Sequence, residues 1–446
     1  MVPKTASLMR PPCADRVVKS LLMRKEAAIP ENERAYLREL AKKQAEYAAL
    51  PVMAERRKMW YDLNDGSSRA RPPVVVETWT FDRDFMPESV YRCATPAGRS
   101  IEYQLLARIR NHELIDDDKV VPDTFDMGWA VSIDEFGVEI EVDHRKDAQG
   151  VETAYRYHHP ITDLERDFPK LKPAVCRVDR EATGERRAFL ESLLGDILPV
   201  RLRTGIFGGT MLTNRVIELM GMEAYFIAMY EAPDSVHRLM GFLRDNALKV
   251  MRWAESEGLL RLNNENQDSF GSSTNFTRRL PAPGFRGEAA RLCDMWGCAN
   301  SQETVGVSPA MFSEFCFPYY RDVTEPMGLL YYGCCEPVSP FWKDISRLPH
   351  LKKVSVSKWC DQKLVGEALR GSGIVYSRKP DPNLLGVDVK LNEAGFSAHI
   401  RETLDAAQGC FLEILFRDVY TVHGDLNKPR RAVELTRAEI ARHWKS

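Results

Sequence analysis

The sequence predicts an α/β protein built as a (β/α)8 TIM barrel, with an N-terminal helical extension and an elaborated early βα segment. Three observations predict it. A strand-then-helix rhythm persists from residue 196 onward, the pattern of a parallel sheet built from βα units. Short apolar runs that suit buried strands number about eight, the count that closes such a barrel. No G-x-G-x-x-G follows any of these runs, so an open dinucleotide-binding sheet loses its main support.

Residues 1–30 mix Pro, Met and Arg without periodicity. Pro30 then opens a charged stretch, 31–50, that reads as a helix, and a second helix is expected over 52–63. Arg71-Pro72-Pro73 closes this part, so 1–70 is expected to form the helical extension and 71–446 the barrel. The run Val74-Val75-Val76-Glu77-Thr78-Trp79 is placed as the first strand. Between 85 and 195 the pattern loosens into a helix near 101–109, hairpin strands around 125–142 and acidic loops. Further strands are expected at 198–202, 259–263, 292–297, 329–333, 353–357, 373–377 and 411–416. Each precedes a helical pattern, the last beginning near Pro429.

Composition narrows the function. Apolar residues make up 44% and charged residues 28% of the 446, as in ordinary globular proteins. A formal charge of −2 gives no net field to steer the chain onto nucleic acid or an anionic membrane. No apolar run approaches the roughly 18 residues of a membrane span, and no signal-peptide core is present, so a cytoplasmic location is expected. Ten scattered cysteines suit buried thiols or metal ligands better than a disulfide framework. There is no H-E-x-x-H, no P-loop, no G-x-S-x-G and no paired C-x-x-C set.

In a barrel of this kind the chemistry lies where strands end. Those positions hold Glu77 and Trp79; then Asn263, Asn264, Glu265 and Asn266; then Trp296 and Gln302. After them come Tyr332, Cys334, Cys335 and Glu336; Ser357, Lys358 and Trp359; Arg378, Lys379 and Asp381; and finally Asp418 and His423. Two thiols and a carboxylate at one strand end suit Zn²⁺, although adjacent cysteines start toward opposite faces, so one ligand and one packing thiol is the expected division. Buried thiols capped by a glutamate would look the same in sequence. His423 is the candidate imidazole ligand, giving a metal set of Cys334, Glu336 and His423. Glu265, Tyr332 and Glu336 are the candidate catalytic groups, although Glu265 reads somewhat better as a solvated loop carboxylate. Glu77, Trp79, Asn263, Trp296, Gln302, Trp359 and Lys379 are the candidate substrate contacts, the aromatic members suiting a planar molecule or simply capping the core.

The stretch Trp296-Gly297-Cys298-Ala299-Asn300-Ser301-Gln302-Glu303, then Val307-Ser308-Pro309-Ala310-Met311-Phe312, then Phe317-Pro318-Tyr319-Tyr320, resembles the uroporphyrinogen decarboxylase-like superfamily, over roughly 196–446. That superfamily contains tetrapyrrole decarboxylases and corrinoid-linked methyltransferases. The decarboxylases' arginine-rich N-terminal motif is missing; Lys58-Met59-Trp60-Tyr61-Asp62-Leu63-Asn64 precedes the first strand instead. The methyltransferases hold zinc with a His-x-Cys pair and a distant Cys. Tyr332-Gly333-Cys334 falls at the first of these and His423-Gly424 near the second, so only Cys334 matches by identity.

The resemblance implies an enzyme that moves a methyl group from a small methyl ether or methylated amine to a corrinoid, with zinc as the assisting Lewis acid. The D-x-H-x-x-G sequence of a cobalamin carrier is absent, so the corrinoid is expected on a separate protein acting in trans. The rival is a metal-independent decarboxylase or lyase that binds carboxylate through Arg378, Lys379 or Arg417. A non-catalytic binding barrel is the third reading. Oligomeric state is left open, a homodimer being the assembly considered.

Overall fold

The computed structural model describes residues 29–146, 152–204, 210–265 and 273–445. Its strands in chain order are β1 (Val74–Val76), β2 (Phe125–Gly128), β3 (Ala130–Asp134), β4 (Glu141–Lys146), β5 (Glu152–His158) and β6 (Val175–Asp179). They continue with β7 (Val200–Arg203), β8 (Trp296–Ala299), β9 (Leu329–Tyr332), β10 (Leu351–Val356), β11 (Val375–Arg378) and β12 (Phe411–Phe416). Six of them form one sheet in the order β1-β12-β11-β10-β9-β8, every neighbouring pair parallel. The sequence dictates this burial: β9 and β11 are buried at every residue, as strands covered on both faces must be. Helices such as Glu393–Ala406 and Asn427–His443 pack against each other over this sheet.

At both edges of the sheet the ladder is continued by side chains. Beside β1, the Asp118 carboxylate accepts from the Val74 N–H at 2.8 Å and the Asp117 carboxylate from the Val76 N–H at 2.8 Å. Beside β8, the Asn263 side chain both accepts from the Trp296 N–H and donates to the Trp296 carbonyl, each at 2.9 Å. A separate parallel pair, β2 with β7, lies between these edges in chain order. The carbonyl of Leu259 accepts from Thr204, one residue beyond β7, at 2.7 Å.

Several expectations need correction. The segment 259–263 is not a strand, because asparagine side chains take over the pairing that backbone groups would make: Asn263 binds Trp296, and Asn264 donates to the Thr277 and Leu280 carbonyls. The expected strand 292–297 begins as a 3-10 turn, Leu292–Asp294, closed by the Asp294 carboxylate on the Arg291 N–H at 2.9 Å. The strands around 125–142 exist but do not pair as one hairpin: β2 joins β7, β3 runs antiparallel to β6, and β4 to β5. The two N-terminal helices, Glu31–Ala48 and Pro51–Asp65, form as expected. They are fastened onto the body by Arg38 on Asp196, Gln44 on the Pro122 carbonyl, and Trp60, whose indole N–H reaches the Asp118 carbonyl at 2.8 Å. Among the described residues no helix is long and apolar enough to cross a membrane.

Inside the sheet, Lys353 of β10 and Glu413 of β12 form an ion pair at 2.9 Å with neither side chain exposed. The ammonium also donates to Ser273 at 2.6 Å and the Thr274 carbonyl at 3.1 Å, and lies 5.4 Å from the Trp60 ring centroid and 5.8 Å from that of Trp296. Removing one member strands the other in a medium that cannot solvate it. Lys353→Met is expected to cost about 3–5 kcal/mol in urea unfolding, and the double variant Lys353→Met with Glu413→Leu to recover most of it. Equal losses from the single and double variants would show that the pair is not the source.

Candidate active site

Because the six strands are parallel, their carboxyl ends form one edge, and the first residues beyond that edge are polar and buried: Glu77 after β1, Asn300 after β8, Cys334 and Glu336 after β9, Ser357 after β10, Lys379 after β11 and Arg417 after β12. Polar groups in such positions persist only when they are partnered or used.

The chain leaves β9 through Gly333, whose φ of +94° is open to glycine; a Cβ there would stand 3.0 Å from that of Ser355. This turn swings the Cys334 peptide over the sheet edge. Its carbonyl accepts from Ser355 of β10 at 2.5 Å and from the Lys379 ammonium at 2.8 Å. Its N–H donates to one Glu336 oxygen at 2.8 Å, while the other Glu336 oxygen accepts from the Ser301 N–H at 3.1 Å. Ser301 in turn shares a 2.7 Å hydrogen bond with the Tyr332 hydroxyl.

The thiols lie beside charge. Cys334 Sγ is 3.5 Å and an Asp418 oxygen 3.0 Å from Cys335 Sγ, so the single Cys335 S–H has two acceptors within reach. Arg417 sits between Glu77, 3.5 Å from Nη2, and Asp418, 3.3 Å from Nε. The hydrogen bond from Cys335, and then the charges of Arg417 and Lys379, draw the Cys334 thiol below its usual range against the opposing effect of burial. Cys335, sharing its proton with Cys334 and desolvated, is driven well above. Burial works against Arg417, yet Cys334, Glu77 and Asp418 hold its guanidinium charged.

Past β12 the backbone is left-handed at three non-glycine residues, Asp418 (φ 58°), Tyr420 (φ 61°) and His423 (φ 57°). Such strain, of order 1–3 kcal/mol each, survives where the surroundings over-determine it. Here the Asp418 N–H is held by Glu77 at 3.3 Å, and Thr421 and the Val422 N–H by Asp84 at 2.8 and 2.6 Å.

Of the expected site residues, Glu77, Tyr332, Cys334, Glu336 and Lys379 come together at this edge. Gln302 stands in the turn that follows β8, its Oε1 without a hydrogen-bond partner among the described residues. Trp79 lies half-buried in the 3-10 turn after β1. The others are elsewhere. Trp296 opens β8 and so stands at the opposite end of the sheet, its indole N–H on the Asn275 carbonyl at 3.0 Å. Asn263 is spent on the Trp296 backbone. Glu265 is an exposed carboxylate 3.4 Å from Arg201, and Asn266 lies outside the described residues. Trp359 is 57% exposed beneath the Lys358 ammonium, an outward face rather than a pocket wall.

The expected zinc set does not assemble. His423 is on an exposed turn with Nε2 3.2 Å from the Gly386 carbonyl, and both Glu336 oxygens are taken by backbone N–H groups. Among the described residues no group of three or more His, Cys, Asp and Glu side chains is placed to hold one ion.

One group was given no role by the sequence reading. Glu303, in the turn Gln302–Thr304 after β8, accepts from Thr213 at 2.8 Å, and burial pushes its carboxyl up to about 7 despite that bond. Its signal in sequence is position alone, an acid four residues beyond a buried strand. A carboxyl raised from the usual 4.5 to about 7 stabilises the fold fully below 4.5, and that contribution is lost as pH rises through 7. Glu303→Gln is therefore expected to flatten the melting-temperature profile between those values and to raise it at pH 8. An unchanged profile would show that Glu303 is solvated.

No protein-family pattern and no curated protein matches the chain. Among solved structures it is similar to a methyltransferase from Methanosarcina mazei, 13% identical, over 86% of this chain and 99% of that one, with a TM-score of 0.48.

Proposed function

We propose that the chain closes into a (β/α)8 barrel and is a methyltransferase, taking a methyl group from a small methyl ether or methylated amine and passing it to a corrinoid held by a separate protein. The observation that carries this reading is Cys334: it is the residue that the uroporphyrinogen decarboxylase-like resemblance matches by identity, and it lies buried at the carboxyl edge of the sheet beside Arg417 and Lys379. The architecture is supported by the side-chain bridges at both sheet edges, where Asp117 and Asp118 flank β1 and Asn263 flanks β8.

The corrinoid supplies the cobalt that accepts the methyl group. The chain's own residues must then hold the substrate and stabilise what departs, since an ether oxygen leaves as an anion. Glu303, protonated near neutrality, can give its proton to that oxygen, and the buried cations favour the charge that develops before transfer is complete. A quaternary methylammonium leaves as a neutral amine and needs no proton from Glu303. No step runs through zinc, because its expected ligands do not converge.

Arg417 and Lys379 also suit the second reading, a metal-independent decarboxylase or lyase of a small acid. Both are tested by incubating the protein anaerobically with cob(I)alamin and a panel of methoxylated and N-methylated compounds, following cob(I)alamin consumption and CO2 release. Methyl transfer that falls about 100-fold or more in Glu303→Gln for ethers, and much less for amines, is the expected result. CO2 release without transfer would select the second reading. No turnover of the panel with free cobalamin or with corrinoid proteins would contradict both.

A further inference from the structure

We propose that the outward face of the helix Met222–Glu231, together with Val305, docks a partner protein whose contact surface has an apolar centre ringed by Lys and Arg. This goes beyond the reaction class and stands whichever reading above holds. Along this helix apolar residues occupy both the inner and the outer face: Tyr225, Ala228 and Met229 are buried, while Ile227 is 48% and Tyr230 78% exposed, with Met222 exposed at its start. A helix that is apolar all round belongs in a core, so a face of it left in water marks a surface that another molecule covers. Met222, Phe226 and Tyr230 follow one another at intervals of four residues, one row along the helix. The row continues off the helix: a Cβ on Gly306 would stand 2.9 Å from the Phe226 ring, and Val305 next to it is 52% exposed. Val305 directly follows the turn Gln302–Thr304 that carries Glu303, so whatever covers the patch also stands at the rim of the candidate site.

Charge selects the occupant. No Lys or Arg occurs from 216 to 237 or from 292 to 320, the two segments that build the patch. Glu223 and Glu231 stand at the two ends of the helix and Asp234 in the first turn of the next, all exposed and none in an ion pair among the described residues. A second copy meeting the patch across a two-fold axis would set these carboxylates against their own kind, and nucleic acid or an anionic membrane would be repelled in the same way. A protein surface with Lys and Arg around an apolar centre meets both features. Covering Ile227 and Tyr230 supplies affinity, and the acidic border supplies orientation and a faster encounter.

The test is binding to the whole protein, by fluorescence anisotropy, of a short helical peptide with a leucine face bordered by lysines. Two control peptides carry glutamate in place of lysine, or serine in place of leucine. The leucine–lysine peptide should bind with a Kd below about 100 µM, and each control about tenfold or more weakly. Ile227→Ser with Tyr230→Ser, and separately Glu223→Gln and Glu231→Gln with Asp234→Asn, should each weaken it about tenfold, with circular dichroism confirming that both variants fold. Raising salt from about 0.05 to about 0.5 M should weaken binding to the wild type and leave the charge variant little changed. No binding of the leucine–lysine peptide, equal binding of the glutamate peptide, or an affinity unmoved by either variant would overturn the docking face. So would binding to phosphatidylserine vesicles, or self-association of the wild type, that is lost in Ile227→Ser with Tyr230→Ser, since the face would then belong to a membrane or to a second copy.

Discussion

The Cys334 peptide is the point on which the site depends. Its carbonyl is gripped by Ser355 and Lys379, and its N–H by Glu336, which reaches across to Ser301. Four strand ends, those of β8, β9, β10 and β11, are tied through one peptide unit, and three of the bonds involve charged groups, each worth roughly 1.5–3 kcal/mol. Gly333 makes this geometry available by turning the chain at a φ that other residues resist. The thiols are therefore positioned by backbone contacts on a rigid sheet rather than by a mobile loop.

The buried charges around that peptide are a consequence. Lys379 is fixed by the Cys334 carbonyl, Arg417 by Glu77 and Asp418, and Asp418 by a left-handed backbone that Glu77 and Asp84 hold in place. Charges brought into a poorly solvated edge interact more strongly than they would in water, and their geometry need not reorganise when a ligand arrives. A thiol drawn down by Cys335, Arg417 and Lys379 and a carboxyl pushed up by burial, that of Glu303, thus both stand at this edge.

Much of the fold was legible because parallel strands buried on both faces are short, mostly apolar runs, which 329–333 and, apart from Glu413, 411–416 display; 353–357 instead alternates Val with Lys and Ser. The runs failed where side chains replaced backbone pairing, as Asn263 does, or where Asp294 closed a turn inside an apolar stretch. Strand-end logic found Glu77, Cys334, Glu336 and Lys379, since position after a strand is local. It misplaced Trp296, which begins its strand rather than ending it, and it joined His423 to Cys334 across a distance that sequence does not encode. Glu303 acquires its character from desolvation, which outweighs the Thr213 hydrogen bond, and neither is visible in the sequence around it.

The central claim is that Cys334 lies in a buried environment where Cys335, Arg417 and Lys379 favour the thiolate against burial and Glu336. The most direct measurement is the ultraviolet absorbance of thiolate against pH, taken as wild type minus Cys334→Ser. The account predicts an ionisation below the usual thiol value, moving upward in Arg417→Gln and Lys379→Met. A Cys334 that ionises at or above an ordinary thiol, unmoved by either change, would contradict it.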